Sequence, residues 1–493
     1  MIMKRLLLSF ITMVAMFQLA VATIYYVPTN IATVQAALNT CAPMDTVIVA
    51  PGTYLEYLVW PTNVNGIKLL GSSSQTTILN AGGSNRGVTI NGGNIDTLTV
   101  IKGFTFLGGG IIGGSGYGAG VYVNNASAIF DDVVITGNRV YVPGGNGYGA
   151  GVHLNSSSSI FRNCEITANS TDSATWCYGG GVYIDGGSPL FYNVLIAGNS
   201  MYAENWSYGI GMHITGNATV NMDRITIKDN FSGDNSIWYY GNGIYIDDSN
   251  VNMTNVLVSD NMSGLGGSFN YGGGIYCDGV SVVNIQHTTI TNNTKMNNGN
   301  IDGSGIYVRD AQTSVINSIT YNLNNSSETN TSGGGNLNIA YSTVRGGFGG
   351  TGNLSVPPLF VGATDYHITP FSPCAGSGTS TISIGWDLDN LPRPVPIATM
   401  PDMGCYEVDQ SLTGLAETNS TTIQIYPNPA RDNLTIQSRF LENITVRIYD
   451  VSGRIILDKT ELTNKLTLDI SEYDTGLYIV EINNDFKKKI LIE

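Results

Sequence analysis

Carboxylates at a fixed spacing are the residues in this sequence best placed for chemistry. Asp247, with Asp248 beside it, and Asp278 hold the same place in two successive copies of one phrase, "YGNGIYIDDS" and "YGGGIYCDGV". If successive copies stack as strands about 4.8 Å apart, Asp247 and Asp278 are close enough to bridge a Ca²⁺ ion. They also fall near the roughly 5 Å carboxylate separation of retaining glycosidases. Asp247, Asp248 and Asp278 are therefore candidate catalytic residues, with Asp247 and Asp278 as candidate Ca²⁺ ligands. Ca²⁺ is the one cofactor this pattern allows. A plainer reading weighs more. The column runs Asn124, Asn155, Asp185, Thr215, Asp247, Asp278, Arg309, and Asn and Asp are favoured turn residues. Abstraction of a proton beside a metal-bound carboxylate also needs a base clustered with the metal-holding acids. The outward columns of the neighbouring strand supply only Glu165 and Lys228.

A second set of residues suits binding. Trp176, Trp206, Trp238 and Phe269 each stand two residues before the Tyr of a recurring "YG", at Tyr178, Tyr208, Tyr240 and Tyr271. A further column reads Tyr122, His153, Tyr183, His213, Tyr245, Tyr276, Tyr307. Flat apolar faces with hydroxyl tips suit sugar rings. The candidate ligand-contact set is Trp176, Tyr183, Trp206, His213, Trp238, Tyr245, Phe269 and Tyr276, and a polysaccharide or another surface ligand is the expected partner. The alternative is that the rings stack on one another and stiffen the fold. His153 and His213 sit two copies apart, too far to share a metal easily. The sequence has no C-x-x-C pair, which argues against zinc.

These residues are positioned by a repeat of about 30–32 residues, the signature of a stacked array. After each "YGxG" come two apolar positions two apart, such as Val182 and Ile184, with Tyr183 between. That alternation is a strand with its aliphatic side chains inward and a Tyr or His outward. A second strand follows, as in "FYNVLIAGN", and ends on Asn138, Asn169, Asn199, Asn230, Asn261 or Asn293. Stacked Asn side chains can hydrogen-bond amide to amide along the array. The fold expected is all-β, a parallel β-helix. A propeller blade needs four strands, and this repeat is too short for them. The stretch "IATVQAALNT" reads as a short amphipathic helix that caps the first coil.

The chain has 493 residues and a net charge of -15. That charge argues against nucleic acid or an anionic membrane surface as the main partner. Lys4 and Arg5, an apolar run, and Ala20-Val21-Ala22 read as a signal peptide over 1–22, cleaved before Thr23. Six Cys in an exported chain permit disulfides without fixing their pairing. We expect a monomer.

Residues 31–110, through the helix, "DTVIVAPGTY" and "IKLLGSSSQTTIL", resemble the start of the pectin-lyase-like superfamily, and the repeats resemble its right-handed parallel β-helix coils. The resemblance implies a fold, 23–408, but no activity, since that superfamily holds lyases, hydrolases, esterases and adhesins. A polysaccharide lyase or glycoside hydrolase and a passive adhesin or surface-coat protein are therefore the alternatives to a binding protein. Residues 357–407, with "PPLFVGATDYHITPFSPCAGSG" and "DMGCYE", resemble a choice-of-anchor Q segment that closes such helices. After a polar linker, 409–421, residues 422–493 resemble the type A sorting domain of the type IX secretion system, a small Ig-like β-sandwich. The match is carried by Tyr426-Pro427-Asn428-Pro429, Asp450 to Gly453, Gly476-Leu477-Tyr478, and Lys487, Lys488 and Lys489. It implies that the type IX machinery is a partner and that the protein passes through the periplasm to the outer surface or the medium.

Overall fold

A computed structural model describes residues 22–233, 237–264, 269–296, 301–323, 327–382, 385–409, 423–438, 444–461, 463–483 and 486–493. The expected signal peptide lies outside them except for its last residue, and the expected linker except for its first. Each coil opens with a four-residue strand: Val121–Asn124, Val152–Asn155, Val182–Asp185, Met212–Thr215, Ile244–Asp247, Ile275–Asp278 and Ile306–Arg309. These pair in parallel and in register, Val121 with Val152 and Val152 with Val182, so that the repeat becomes a stack. The first and third side chains of each strand are fully buried, as the alternation predicts.

The second strand of each coil, such as Ile160–Thr167 or Leu190–Ala197, is not straight. One residue per coil turns left-handed in its middle: Asp132, Asn163, Asn193, Arg224, Asn255 and His287, with φ between 45° and 57°. Asn and Asp tolerate that region better than other non-glycine residues. The bend lets one strand wrap two sides of the core. Inside it Phe130, Phe161 and Phe191 stack at centroid distances of 4.6 and 5.2 Å.

The ladder of asparagines closes the next corner. The Nδ2 of Asn169 donates to Asn199 Oδ1 at 2.9 Å and to the Ile135 carbonyl at 3.0 Å, and its backbone N–H donates to the same Oδ1 at 3.1 Å. The pattern repeats from Asn138 to Asn293 and on to Asn322. It ends on the buried carboxylate of Glu328, which accepts from Asn322 Nδ2 at 2.6 Å and is paired with Arg345.

The sequence pattern shows two strands per coil, and the structure adds a third. Strands such as Ser170–Tyr178 and Ser200–Tyr208 leave the ladder and form a separate parallel sheet. Its inner face, with Val140, Ala174, Cys177, Met201 and Ala203, packs on Ala119, Ala150 and Ile210 as a second, small core. The tryptophans therefore stand on strands rather than in loops. Small inward residues and a register shift near Ala174 hide the alternation from view. The chain then returns through the "YG" corner. There Gly179 is left-handed, at φ 62°, and a Cβ would come 2.1 Å from the Val182 carbonyl oxygen, so only glycine fits.

Helix Val34–Thr40, capped by Thr33, buries Val34, Ala37 and Leu38 on the first coil, and Glu56 accepts from its first two N–H groups. Phe348 packs against the core from the region after the last coils. Residues 357–408 run along the side of the coil stack. Tyr366 donates to Asp260, Asn255 to the Trp386 carbonyl, and the Cys405 N–H to Thr289. A buried ion pair, Arg393 with Glu407 at 3.0 Å, and an Arg393–His287 contact at 2.7 Å fix it there. All six Cys expected to be available for disulfides are free and buried.

The C-terminal residues form two antiparallel sheets around a core that includes Leu434, Val446, Leu468 and Val480. Pro427, Asn428 and Pro429 are exposed, and Asn428 Nδ2 donates to the Lys489 carbonyl at 3.1 Å. Gly453 closes a turn on Asp450, Gly476 opens a strand, and Tyr478 donates to the Asp474 carbonyl. Lys487, Lys488 and Lys489 lie in the terminal strand Phe486–Ile492.

Candidate functional site

The aromatic columns sort into two layers. The inner layer is the column expected to face outward from the first strand of each coil. It does lie on the outer side of that strand, but it is covered: Tyr183, His213, Tyr245 and Tyr276 are buried. The cover is the "YG" tyrosine file. Tyr148, Tyr178, Tyr208 and Tyr240 stack on one another at 4.8, 5.2 and 5.0 Å. Each also meets the inner ring of the next coil edge-on. Tyr148 meets Tyr183 at 5.1 Å, Tyr178 meets His213 at 5.4 Å, Tyr208 meets Tyr245 at 5.0 Å and Tyr240 meets Tyr276 at 5.4 Å. Edge-to-face pairs of this kind contribute about 0.5–1.5 kcal/mol each beyond area burial. Burial pushes the imidazole of His213 down to about 3, so it is neutral and packed.

The outer layer remains reachable. Trp176 and Phe269 are 36% and 41% exposed, and Trp206 and Trp238 lie half-buried between them. Trp176 stacks on Trp206 at 5.3 Å, and Trp238 on Phe269 at 4.1 Å. The file breaks in the middle, where Trp206 and Trp238 turn to 63° at 6.5 Å. The file is thus two stacked pairs, Trp176 with Trp206 and Trp238 with Phe269, set at an angle to each other.

The acidic corner is asymmetric. Asp247 and Asp278 are register partners on adjacent coils, as the spacing predicts. Asp278 is buried and engaged: Arg309 Nε and Nη2 donate to its two oxygens at 2.8 and 2.6 Å, and Tyr245 donates to Oδ2 at 2.9 Å. Asp248 is exposed and accepts from the Val280 N–H. Burial, then the neighbouring Asp248 and Asp278, pushes the Asp247 carboxyl up to about 6. The corner therefore offers one free-standing carboxyl beside a clamped one. Among the described residues, no group of three or more His, Cys, Asp or Glu side chains is arranged to hold a metal ion. The sequence reading placed Arg309 in this column and missed its role as the clamp, which depends on its reaching back one coil.

Residues 86–295 match the family of the right-handed β-helix region, and residues 424–493 match the secretion system C-terminal sorting domain. An endo-acting ulvan lyase of Formosa agariphila is 29% identical over 84 residues, 15% of this chain. The chain spans 15% of that relative's length. The crystal structure of pectate lyase Pel9A aligns at 14% identity and a TM-score of 0.39, over 79% of this chain and 97% of that one. The stacked coils, the ladder and the tail thus have one description: the chain is a right-handed parallel β-helix protein with a C-terminal sorting domain, exported through type IX secretion to the cell surface or the medium.

Proposed function

We propose that this exported β-helix binds glycan through the outer aromatic file, Trp176, Trp206, Trp238 and Phe269, and that the acidic corner is structural. The observation that carries the reading is the contrast between the layers. The inner tyrosines and histidines are buried in packing, while the outer rings keep solvent-facing surface, most of all Trp176 and Phe269. Losing one stacking ring costs a sugar ligand on the order of 1 kcal/mol, a several-fold loss of affinity. Trp206→Ala and Trp238→Ala should weaken binding to any glycan the protein retains on an array, with little change in melting temperature. Full binding by both variants sinks the reading.

One observation favours a second reading, a polysaccharide lyase or hydrolase. A carboxyl held near 6 beside an arginine is poised for proton transfer. Release of unsaturated uronates or new reducing ends, lost in Asp247→Ala, would establish it.

A further inference from the structure

A buried acid stands apart from both sites, beside the first strand, Ile24–Val27. Asp45 is 3% exposed. Its Oδ1 accepts from the Thr23 N–H at 2.6 Å and its Oδ2 from the Ala42 N–H at 2.8 Å. These donors satisfy the oxygens but bring no full positive charge, and a buried carboxylate ordinarily has a cation beside it. Among the described residues, no Lys, Arg or His side chain pairs with Asp45. Lys68, on the next strand, is exposed, and its backbone N–H donates to the Asp45 carbonyl. Thr23 is held on its other side too, where its carbonyl accepts from the Thr46 N–H at 2.9 Å. Ala22, just before it, is exposed. Ala20-Val21-Ala22 is the small-residue pattern that a signal peptidase cuts after.

We propose that the Ala22–Thr23 bond is the export processing site and that the freed α-ammonium group of Thr23 is the cation Asp45 holds. A signal peptidase adds water across that amide bond. This leaves a carboxylate on Ala22 and an amine on Thr23 that takes up a proton at neutral pH. The nitrogen already lies 2.6 Å from Oδ1, so a neutral hydrogen bond becomes a charge-assisted one without moving the strand. Until the leader is removed, the first rung lacks that charge. Cleavage therefore tightens the end at which the stack begins. The other titratable groups at this end are Cys41, whose thiol burial and then Asp45 push up to about 11, exposed Lys68, Glu56 at the start of the cap helix, and Tyr25 and Tyr26 of the strand itself.

The test reads the N-terminus of the exported protein by mass. It then compares hydrogen exchange at about pH 7 in a chain beginning at Thr23, the same chain with its amine acetylated, and a chain beginning at Val21. Amides of Ile24–Val27 and Thr46–Val49 should exchange about five- to tenfold more slowly in the first chain than in the other two. Asp45→Asn should close that gap. The chain beginning at Val21 carries the same charge two residues away, so its comparison needs no Asp45 variant. An α-amine ordinarily titrates at about 7.7–8.0, and pairing with a carboxylate raises that value. The added protection is therefore complete below about pH 7.7 and is lost as pH rises through the folded value. The gap from the acetylated chain should shrink between about pH 8 and pH 10, and the neighbouring groups, being the same in both chains, cancel in the comparison. A mature N-terminus other than Thr23 overturns the proposal. So does equal exchange in the three chains, a gap that Asp45→Asn leaves intact, or one that pH does not change.

Discussion

Asp278 and Asp247 are the same residue type in the same column, and their surroundings give them opposite roles. Removing the clamp by Arg309→Ala leaves a buried carboxylate without its cation, and we expect a loss of about 2–4 kcal/mol in a denaturant melt. Asp247 behaves differently. Its folded value, about 6, lies above the ordinary 3.8, so ionisation is disfavoured in the folded chain. The resulting destabilisation is absent below the ordinary value, grows as pH rises toward 6 and is complete above it. Asp247→Asn should therefore raise the unfolding free energy at about pH 8 by about 1 kcal/mol after solvent screening, and leave it unchanged at about pH 4. Equal gains at both pH values would rule this out. The positions of both acids were legible from the repeat. Which one is free was not, because it is set by side chains from the next coil.

The asparagine ladder shows how a repeat turns a modest hydrogen bond into an element. Asn199 donates to Ile166 and Asn230 and accepts twice from Asn169, all in a buried setting. Asn199→Ala strands several of these groups, and a cost of about 3 kcal/mol is expected. Asn252 belongs to an exposed ladder with Asn221 and Asn284, where water replaces the lost partner, so Asn252→Ala should cost less than about 0.5 kcal/mol. Equal costs would mean that the inner ladder is not special. The corner before each ladder asparagine is left-handed, with Gly137 and Gly198 flanking Ala168 in the equivalent place. Ala168→Gly should be neutral or stabilising by up to about 1 kcal/mol, unlike glycine introduced elsewhere in a strand. The buried ladder from Asn138 to Asn293 was legible because its spacing is constant. Its end was not. Asn322 falls 29 residues after Asn293 and Glu328 only 6 after Asn322. The third sheet was hidden for another reason: beside Val140 and Met201, many of its inward residues are Ala, Cys and Thr, which carry little hydrophobic contrast.

At the scale of the whole molecule, the sorting domain has its own core. A chain ending at residue 408 should keep the cooperative melt of the β-helix and fail to reach the cell surface in a host with type IX secretion. Surface delivery of that truncated chain would contradict the role of the tail. This architecture was the most legible feature of all, since the repeat phrase and the tail motifs are local in sequence. The path of 357–408 was not, because contacts such as Arg393 with His287 join residues 106 apart. The in-register stacking has one further consequence. Each strand meets only its equivalents above and below, Val182 lying between Val152 and Met212. Excising 182–211 would bring Met212 onto Val152 with every column still matched. Coil number is thus a variable that recombination between near-identical phrases can change without redesigning the interior. Such a chain sets its own length by copy number, as a ruler is lengthened by adding equal divisions.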